Sequence, residues 1–334
     1  MKPQPSFIFN FKEMGQFISR TVIYGVLFIA LCYGLQFMAD KGLRKSESND
    51  YKNWTLILDG DIDADILVTG SSRAMRMIDP AIIDAITGVS SYNLGMEGAR
   101  LKSQLTRWDA YLKSNKSPEL IIQTVDLMSM GHAETVFKKQ QFLPFLSEPT
   151  IYENLKEVDN RLFLDRYFPL YKYHGYISEF KEGIGLFLGR PSAYQYTEYK
   201  GYESKDKKFN NEFQQMKDNM TGNVLLHPEG LIEEGFEILY RMINDCEKRD
   251  IELVLAFTPQ YFGLTELQTQ ADYLLVEFEK LGNIPNVHFI NYVHHDICKD
   301  KTYFYNAMHL NKKGADIFTE MLVNDLYDRG ILVR

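Results

Sequence analysis

Residues 64–73 read ADILVTGSSR: a short, largely apolar run, Ala64–Thr69, followed at once by Gly70, Ser71, Ser72 and Arg73. Such a run fits a buried parallel strand, and whatever follows a parallel strand lies at the carboxyl edge of the sheet, where ligands sit. The same rhythm repeats outward from it. Asp79-Pro80 opens a helix, with proline tolerated in the first turn, and Gly88 closes it. Ser90–Leu94 reads as a second strand and Glu119–Asp126 as a third. Between them, residues 99–114 carry Leu101, Leu105, Trp108 and Leu112 at helical spacing. Further on come a helix at Pro228–Lys248, a strand at Ile251–Phe257, a helix at Glu266–Leu281 and a strand at Val287–Val293. The last helix, Lys312–Tyr327, is capped by Asn311 and closed by Gly330. Strands alternating with helices predict an α/β fold, a doubly wound and mostly parallel sheet of about five strands.

Two segments break that rhythm. Residues 131–222 are rich in Tyr, Phe, Lys and Glu, with helix-like pieces such as 151–165, and are too long for a loop in a compact domain. They predict a helical insertion or cap. Its stretch Tyr167–Tyr176 (YFPLYKYHGY) suits either the core of that cap or a stacking surface for carbohydrate. Near the start of the chain, Thr21–Ala39 (TVIYGVLFIALCYGLQFMA) is free of charge between Arg20 and Asp40. As a helix it would be about 28 Å long, close to the thickness of a bilayer's hydrocarbon. The run exceeds the apolar region of a usual secretory signal, and no small-x-small cleavage site follows it, so it reads as a membrane anchor. Residues 1–20 are then an N-terminal tail, 21–39 the transmembrane helix, 40–57 a polar stalk and 58–330 the α/β domain with its insertion. Lys2, Lys12 and Arg20 precede the span while Lys41, Arg44, Lys45 and Lys52 follow it, so charge does not decide its orientation.

Composition excludes several function classes. The net charge is −8, with 37 basic and 45 acidic residues interspersed, so no basic face for nucleic acid is expected. Cys32, Cys246 and Cys298 lack CxxC spacing, which leaves a zinc site unsupported and a Cys246–Cys298 disulfide open. His294 and His295 are adjacent and would point to opposite faces of a strand, so with Asp296 they make a poor chelate. No metal and no cofactor is expected. A phosphate loop is excluded because no GxxxxGK[ST] follows the first strand.

Three loops could carry chemistry. A serine at a strand-to-helix turn is displayed beside backbone N–H groups and a helix N-terminus, although a capping serine looks the same. After the second strand, Tyr92–Gly98 (YNLGMEG) holds Gly95 and Gly98, which would let backbone approach a ligand and present an N–H. Before the last helix, His309 follows Asn306 by three residues, so in a helical turn or tight loop their side chains can meet. A group accepting from one imidazole nitrogen leaves the other free to take a serine proton. Arg73 and Arg76 suit either an anionic substrate group or a helix surface.

In this order the three loops resemble the SGNH/GDSL hydrolase superfamily. Within it, the sequence is similar to the membrane-anchored relatives of the D-alanine transfer protein of teichoic acid modification and of the alginate O-acetylation proteins. The resemblance rests on the GSSR first block and on a final block that reads NAMHLNKKG here, Asn306–Gly314, and it covers residues 60–130 and 228–328. It implies that Ser72 is the nucleophile, with Ser71, where the family often has Asp, as the alternative. It further implies that the Ser72 amide and Gly95 hold the oxyanion, that His309 is the general base and that Arg73 is a substrate-contact candidate. Two departures stand out. Val125-Asp126-Leu127 replaces the third block and its asparagine donor, and Asn306 stands where the family usually has Asp. In the serine-protease triad the Asp→Asn change lowers turnover ~10⁴-fold, or roughly 5 kcal/mol of barrier. Asp296 and Asp300 are candidates for a substitute acid.

The function this implies is an extracytoplasmic serine esterase or O-acyltransferase acting on acyl groups of cell-envelope glycans. The protein would be a single-pass membrane protein whose partners are the membrane, an acylated glycan or acyl donor, and other envelope-modification proteins. The alternative is a non-catalytic, membrane-anchored binding or assembly component with a relict site.

Overall fold

The computed structural model describes residues 11–133, 135–219, 232–268 and 271–333. In chain order its elements begin with α1 (Phe11–Leu43), α2 (Asn49–Asp59), β1 (Ile66–Thr69), α3 (Ser72–Met77), α4 (Pro80–Thr87), β2 (Ser91–Asn93), α5 (Leu101–Ser114) and β3 (Leu120–Val125). There follow α6 (Leu127–Met130), α7 (Pro149–Leu155), α8 (Leu162–Tyr167), α9 (Ile177–Phe187), α10 (Glu212–Asn219) and α11 (Glu233–Glu247). The chain closes with β4 (Glu252–Phe257), α12 (Phe262–Thr265), α13 (Ala271–Leu281), β5 (Val287–Asn291), β6 (Phe304–Asn306), β7 (His309–Leu310) and α14 (Lys312–Asp328).

Five parallel strands pair in the order β2-β1-β3-β4-β5. Side chains alternate across each strand and so feed two cores. Ile66, Val68, Ile122, Val254 and Ala256 pack with α3, α4 and α14 on one face, while Leu67, Ile121, Leu253, Leu255 and Phe257 pack with α2, α5, α11 and α13 on the other. This is the doubly wound α/β fold. The strand order reverses between β1 and β3, and that reversal opens a crevice at their carboxyl ends. The five predicted strands match within about two residues at each end. The predicted helix at Pro228–Lys248 is described from residue 232 on, and residues 228–231 lie outside the described residues.

The insertion is helical, but it is no separate cap. Phe142, Leu143, Phe145, Ile151, Leu155 and Leu162 are buried and continuous with the core beneath α2 and α5. Residues 220–222 of it lie outside the described residues. The stretch 40–57 differs from the stalk expected of it. α1 runs without a break through Asp40 to Leu43, and α2 follows after five intervening residues. Leu43, Tyr51, Trp54 and Ile57 are buried, and Trp54 donates to Gln141 at 3.2 Å and packs on Phe142. The polar composition of 40–57 masks Leu43 at the end of α1 and three further apolar residues, Tyr51, Trp54 and Ile57, spaced to share one face of α2. Cys32, Cys246 and Cys298 are free and buried, which closes the option of a disulfide.

Candidate active site

At the end of β1 the chain turns sharply into α3. Gly70 adopts φ +142°, and a Cβ on it would lie 2.0 Å from the Thr124 hydroxyl, so only glycine lets this turn pass against β3. Ser71 caps α3. Its Oγ accepts from the Arg73 N–H at 3.3 Å and donates to the Asp126 carboxylate at 3.2 Å. Buried and committed in this way, Ser71 is no alternative nucleophile. Ser72, the first residue of α3, is left half-buried on the cleft side.

His309 arrives from the other end of the chain on a small antiparallel hairpin. β6 and β7 pair Asn306 with His309 across the turn Ala307-Met308, so the three-residue spacing works through a hairpin and not a helical turn. The Asn306 Oδ1 accepts from the Met308 N–H at 3.1 Å, which fixes the orientation of the amide. That oxygen also lies 2.9 Å from His309 Nδ1, so Nδ1 carries the proton and donates to it. Nε2 is then the unprotonated nitrogen, and it lies 2.8 Å from Ser72 Oγ. The serine hydroxyl donates to Nε2, in the geometry needed for proton abstraction.

Electrostatics hold the imidazole neutral. Burial first, then the Arg73 and Arg76 guanidiniums, pull His309 down to about 3, against weaker opposition from Asp126 and Glu97. The residue as a whole is only half-buried, but one face of its ring is covered by Tyr305, stacked at 5.4 Å and 5°. Both arginines are themselves occupied. Arg73 is buried and donates to Gln260 at 2.9 Å and Thr258 at 3.4 Å, with Asp126 at 3.7 Å from its Nε. It braces the ends of β1, β3 and β4, as a guanidinium this dry must be satisfied by protein groups, and it also borders the cleft beside Ser72. Arg76 pairs with Glu97 at 2.7 Å and Glu203 at 3.3 Å. Burial works against Glu97, yet hydrogen bonds from Lys138 and Arg76 hold it down at about 2.

Gly95 does not play the role expected of it. Its N–H donates to Asn93 Oδ1 at 2.8 Å and is unavailable to an oxyanion. Gly95 is glycine for packing: a Cβ would lie 2.3 Å from the Met75 backbone nitrogen. Asn93, which sequence reasoning passed over, also donates to the carbonyls of Ala74 and Ile78 and so clamps α3 to the end of β2. Two other amides border the cleft. Ser72 heads a helix and has no intrahelical acceptor, and the Gly98 N–H meets no protein acceptor among the described residues.

Asp296 and Asp300 do not reach the histidine. Asp296 pairs with Lys299, and Asp300 caps Thr302. The acid behind Asn306 is instead Glu212, at the start of α10, which accepts from Asn306 Nδ2 at 3.4 Å. No sequence signal pointed to it, because its helix belongs to the unmatched insertion. Ser72 and His309 open on a cleft of about 360 Å³ with Met128, Phe137 and Met308 among its apolar lining and Glu97, Gly98 and Arg100 among its polar lining.

No family model matches the sequence, and no curated protein matches it. Among solved structures, a candidate platelet activating factor from Streptococcus pneumonia aligns with a TM-score of 0.43 at 12% identity, over 86% of this chain and 93% of that one. A candidate lipolytic protein of the G-D-S-L family from Desulfitobacterium hafniense aligns at 0.40 and 10% identity, over 78% and 99% of the two chains. A candidate acylhydrolase from Bacteroides fragilis aligns at 0.40 and 10% identity, over 84% and 96%. What the site can do follows from its own geometry: a serine hydroxyl bonded to a neutral, oriented imidazole can be activated as a nucleophile.

Proposed function

We propose that this chain is a membrane-anchored serine acyl-ester hydrolase or O-acyltransferase of the SGNH type. The observation that carries the reading is the 2.8 Å contact of Ser72 Oγ with His309 Nε2, two residues 237 apart in sequence, at the switch point of the sheet. Ser72 Oγ attacks an acyl carbonyl as His309 Nε2 takes its proton. The tetrahedral oxyanion lies toward the Ser72 and Gly98 amides, in a field made positive by Arg73 and Arg76. One such donor contributes about 2.7–4 kcal/mol to a transition state of this kind. His309 then returns the proton to the leaving alcohol, and water or a sugar hydroxyl releases the acyl group from Ser72. Substrates of the class handled by D-alanine transfer and alginate O-acetylation proteins, acyl groups on envelope glycans outside the cytoplasm, fit an anchored enzyme with a cleft of this size.

Asn306 and the buried Arg73 favour a second reading, a binding component that has lost turnover, because among the described residues no carboxylate hydrogen-bonds the imidazole that must become cationic. A serine-directed fluorophosphonate separates the two. Labelling lost in Ser72→Ala and kept in Ser71→Ala supports the enzyme; folded protein that never labels refutes it.

A further inference from the structure

The insertion leaves an aromatic face open beside α1. Phe163 and Phe168 are each 51% exposed and Tyr167 is 48% exposed, and Phe163 packs on both of the others at 4.9 and 6.5 Å. This cluster is attached to α1 at defined heights. The Tyr33 hydroxyl donates to the Tyr167 carbonyl at 2.8 Å, and Gln36 Oε1 accepts from the Leu170 N–H at 2.7 Å. Nearer the domain, a Cβ on Gly42 would overlap the Gly183 carbonyl and a Cβ on Gly183 would lie 2.4 Å from the Ala39 carbonyl, so α1 and α9 touch backbone to backbone. Asp40 is bound by Lys172 at 2.7 Å and Tyr173 at 2.6 Å. The insertion is therefore fixed to the helix over residues 33–42.

Those heights place the cluster. α1 has one apolar segment long enough to cross a bilayer, with a mean hydropathy of 2.0, and its residues from Phe17 to Leu31 are mostly exposed. Tyr33 precedes Ala39, the end of the uncharged run, by six residues, or about 9 Å of helix. The polar zone on each side of a bilayer is roughly 5–7 Å thick. Aromatic side chains held at the level of Tyr33 thus reach through that zone. Phe37 and Phe187 meet at 6.4 Å just above, with Lys41 over Phe37 and Lys45 over Phe187, the sequence of aromatic ring and then cation that marks a membrane boundary.

We propose that the face formed by Phe163, Tyr167 and Phe168, continuous with Tyr33 and Phe37, is a lipid-contacting surface that beds the globular domain in the bilayer crossed by α1. The inference rests on reading α1 as a membrane span. A lipid occupant follows from continuity with that span: the face is apolar and lies along it.

Nitroxide labels at Phe163→Cys and Phe168→Cys test it in the full chain, reconstituted in phosphatidylcholine–phosphatidylglycerol nanodiscs. Leu27→Cys serves as the span reference and Glu320→Cys as the aqueous one; the three natural cysteines are buried. The expected result is an oxygen-to-nickel-chelate accessibility ratio at 163 and 168 several-fold above that at 320 and approaching that at 27. Ratios at 163 and 168 equal to that at 320, with 27 apolar, overturn the inference and leave the span intact. An aqueous reading at 27 as well overturns both.

Discussion

At the carboxyl edge of the sheet, polar side chains hold one another across 2.8–3.7 Å: Ser72, His309, Asn306, Ser71, Asp126 and Arg73. At the seam where α1 meets α9, Gly42 and Gly183 let one backbone touch another. The edge thus depends on the identity of atoms at the tips of side chains, and the seam on the absence of side chains. Changes at the edge should alter chemistry and spare the fold, whereas a change as small as a few methyl groups at the seam should alter the fold and spare the chemistry.

The sharpest way to break that contrast is at the nucleophile. Ser72→Ala is expected to lower acyl-ester turnover on the order of 10⁴-fold or more while the melting temperature moves by no more than about 2 °C. A turnover number unchanged within a few-fold would place the nucleophile elsewhere. At the seam the prediction reverses. Gly183→Val puts branched carbon against the Ala39 carbonyl and should destabilise the protein by about 1–3 kcal/mol, read as a lower melting temperature of the reconstituted chain, with fluorophosphonate labelling of Ser72 retained in the folded fraction. Loss of labelling without loss of stability would show that the two regions are coupled.

A third test lies where the insertion meets α2. Burial raises Glu198 to about 7, opposed by its hydrogen bond from Asn53 at 2.6 Å and by Arg107. An unfolded carboxyl ionises near 4.5, so between about pH 4.5 and 7 the folded state binds more protons than the unfolded one. Stability from this group therefore falls as pH rises through that window and is flat above it. Glu198→Gln should remove the slope and stabilise the chain by on the order of 2–3 kcal/mol at pH 8. Parallel wild-type and variant curves of denaturation midpoint against pH would contradict it.

The smallest effect is expected at Asn306. With His309 held at about 3, kcat/KM for an ester should be level from roughly pH 5 to 8, its acid limb lying below. Asn306→Asp places a carboxylate against Nδ1 and should move that limb to higher pH, with a neutral-pH rate gain of about tenfold. The nearby Glu212 carboxylate, which now accepts from the Asn306 amide, limits the gain. An acid limb that stays in place would mean that His309 is not the group that titrates.

What could be foreseen from sequence divides along the same line. β1, β3 and β4 are apolar on both faces, and such runs announce themselves without knowledge of their neighbours. Asp79-Pro80 and Asn311 announced helix starts because caps are local: Asp79 accepts from the Ala81 N–H and Asn311 from the Gly314 N–H. Ser72, His309 and Asn306 were legible because each sits within a few residues of such a boundary. The bracing role of Arg73, the packing role of Gly95 and the presence of Glu212 were not legible because they depend on partners brought from afar. Arg73 is bound by Gln260, Gly95 is packed against α3, and Glu212 reaches the site from a segment with no periodic signal. The stretch 40–57 misled for a related reason: four buried apolar side chains among many charges leave composition polar, although they decide the packing.

The unbroken passage of α1 into the domain has one more consequence. A loose tether of eighteen residues, the length of 40–57, would let its cargo wander about 23 Å from the point of attachment. Here α1 is held by Asp40, Gly42 and Leu43 instead, so there is no slack to let out. A domain fastened this way keeps one height and one tilt along α1, and whatever enters the Ser72–His309 cleft must come to it there.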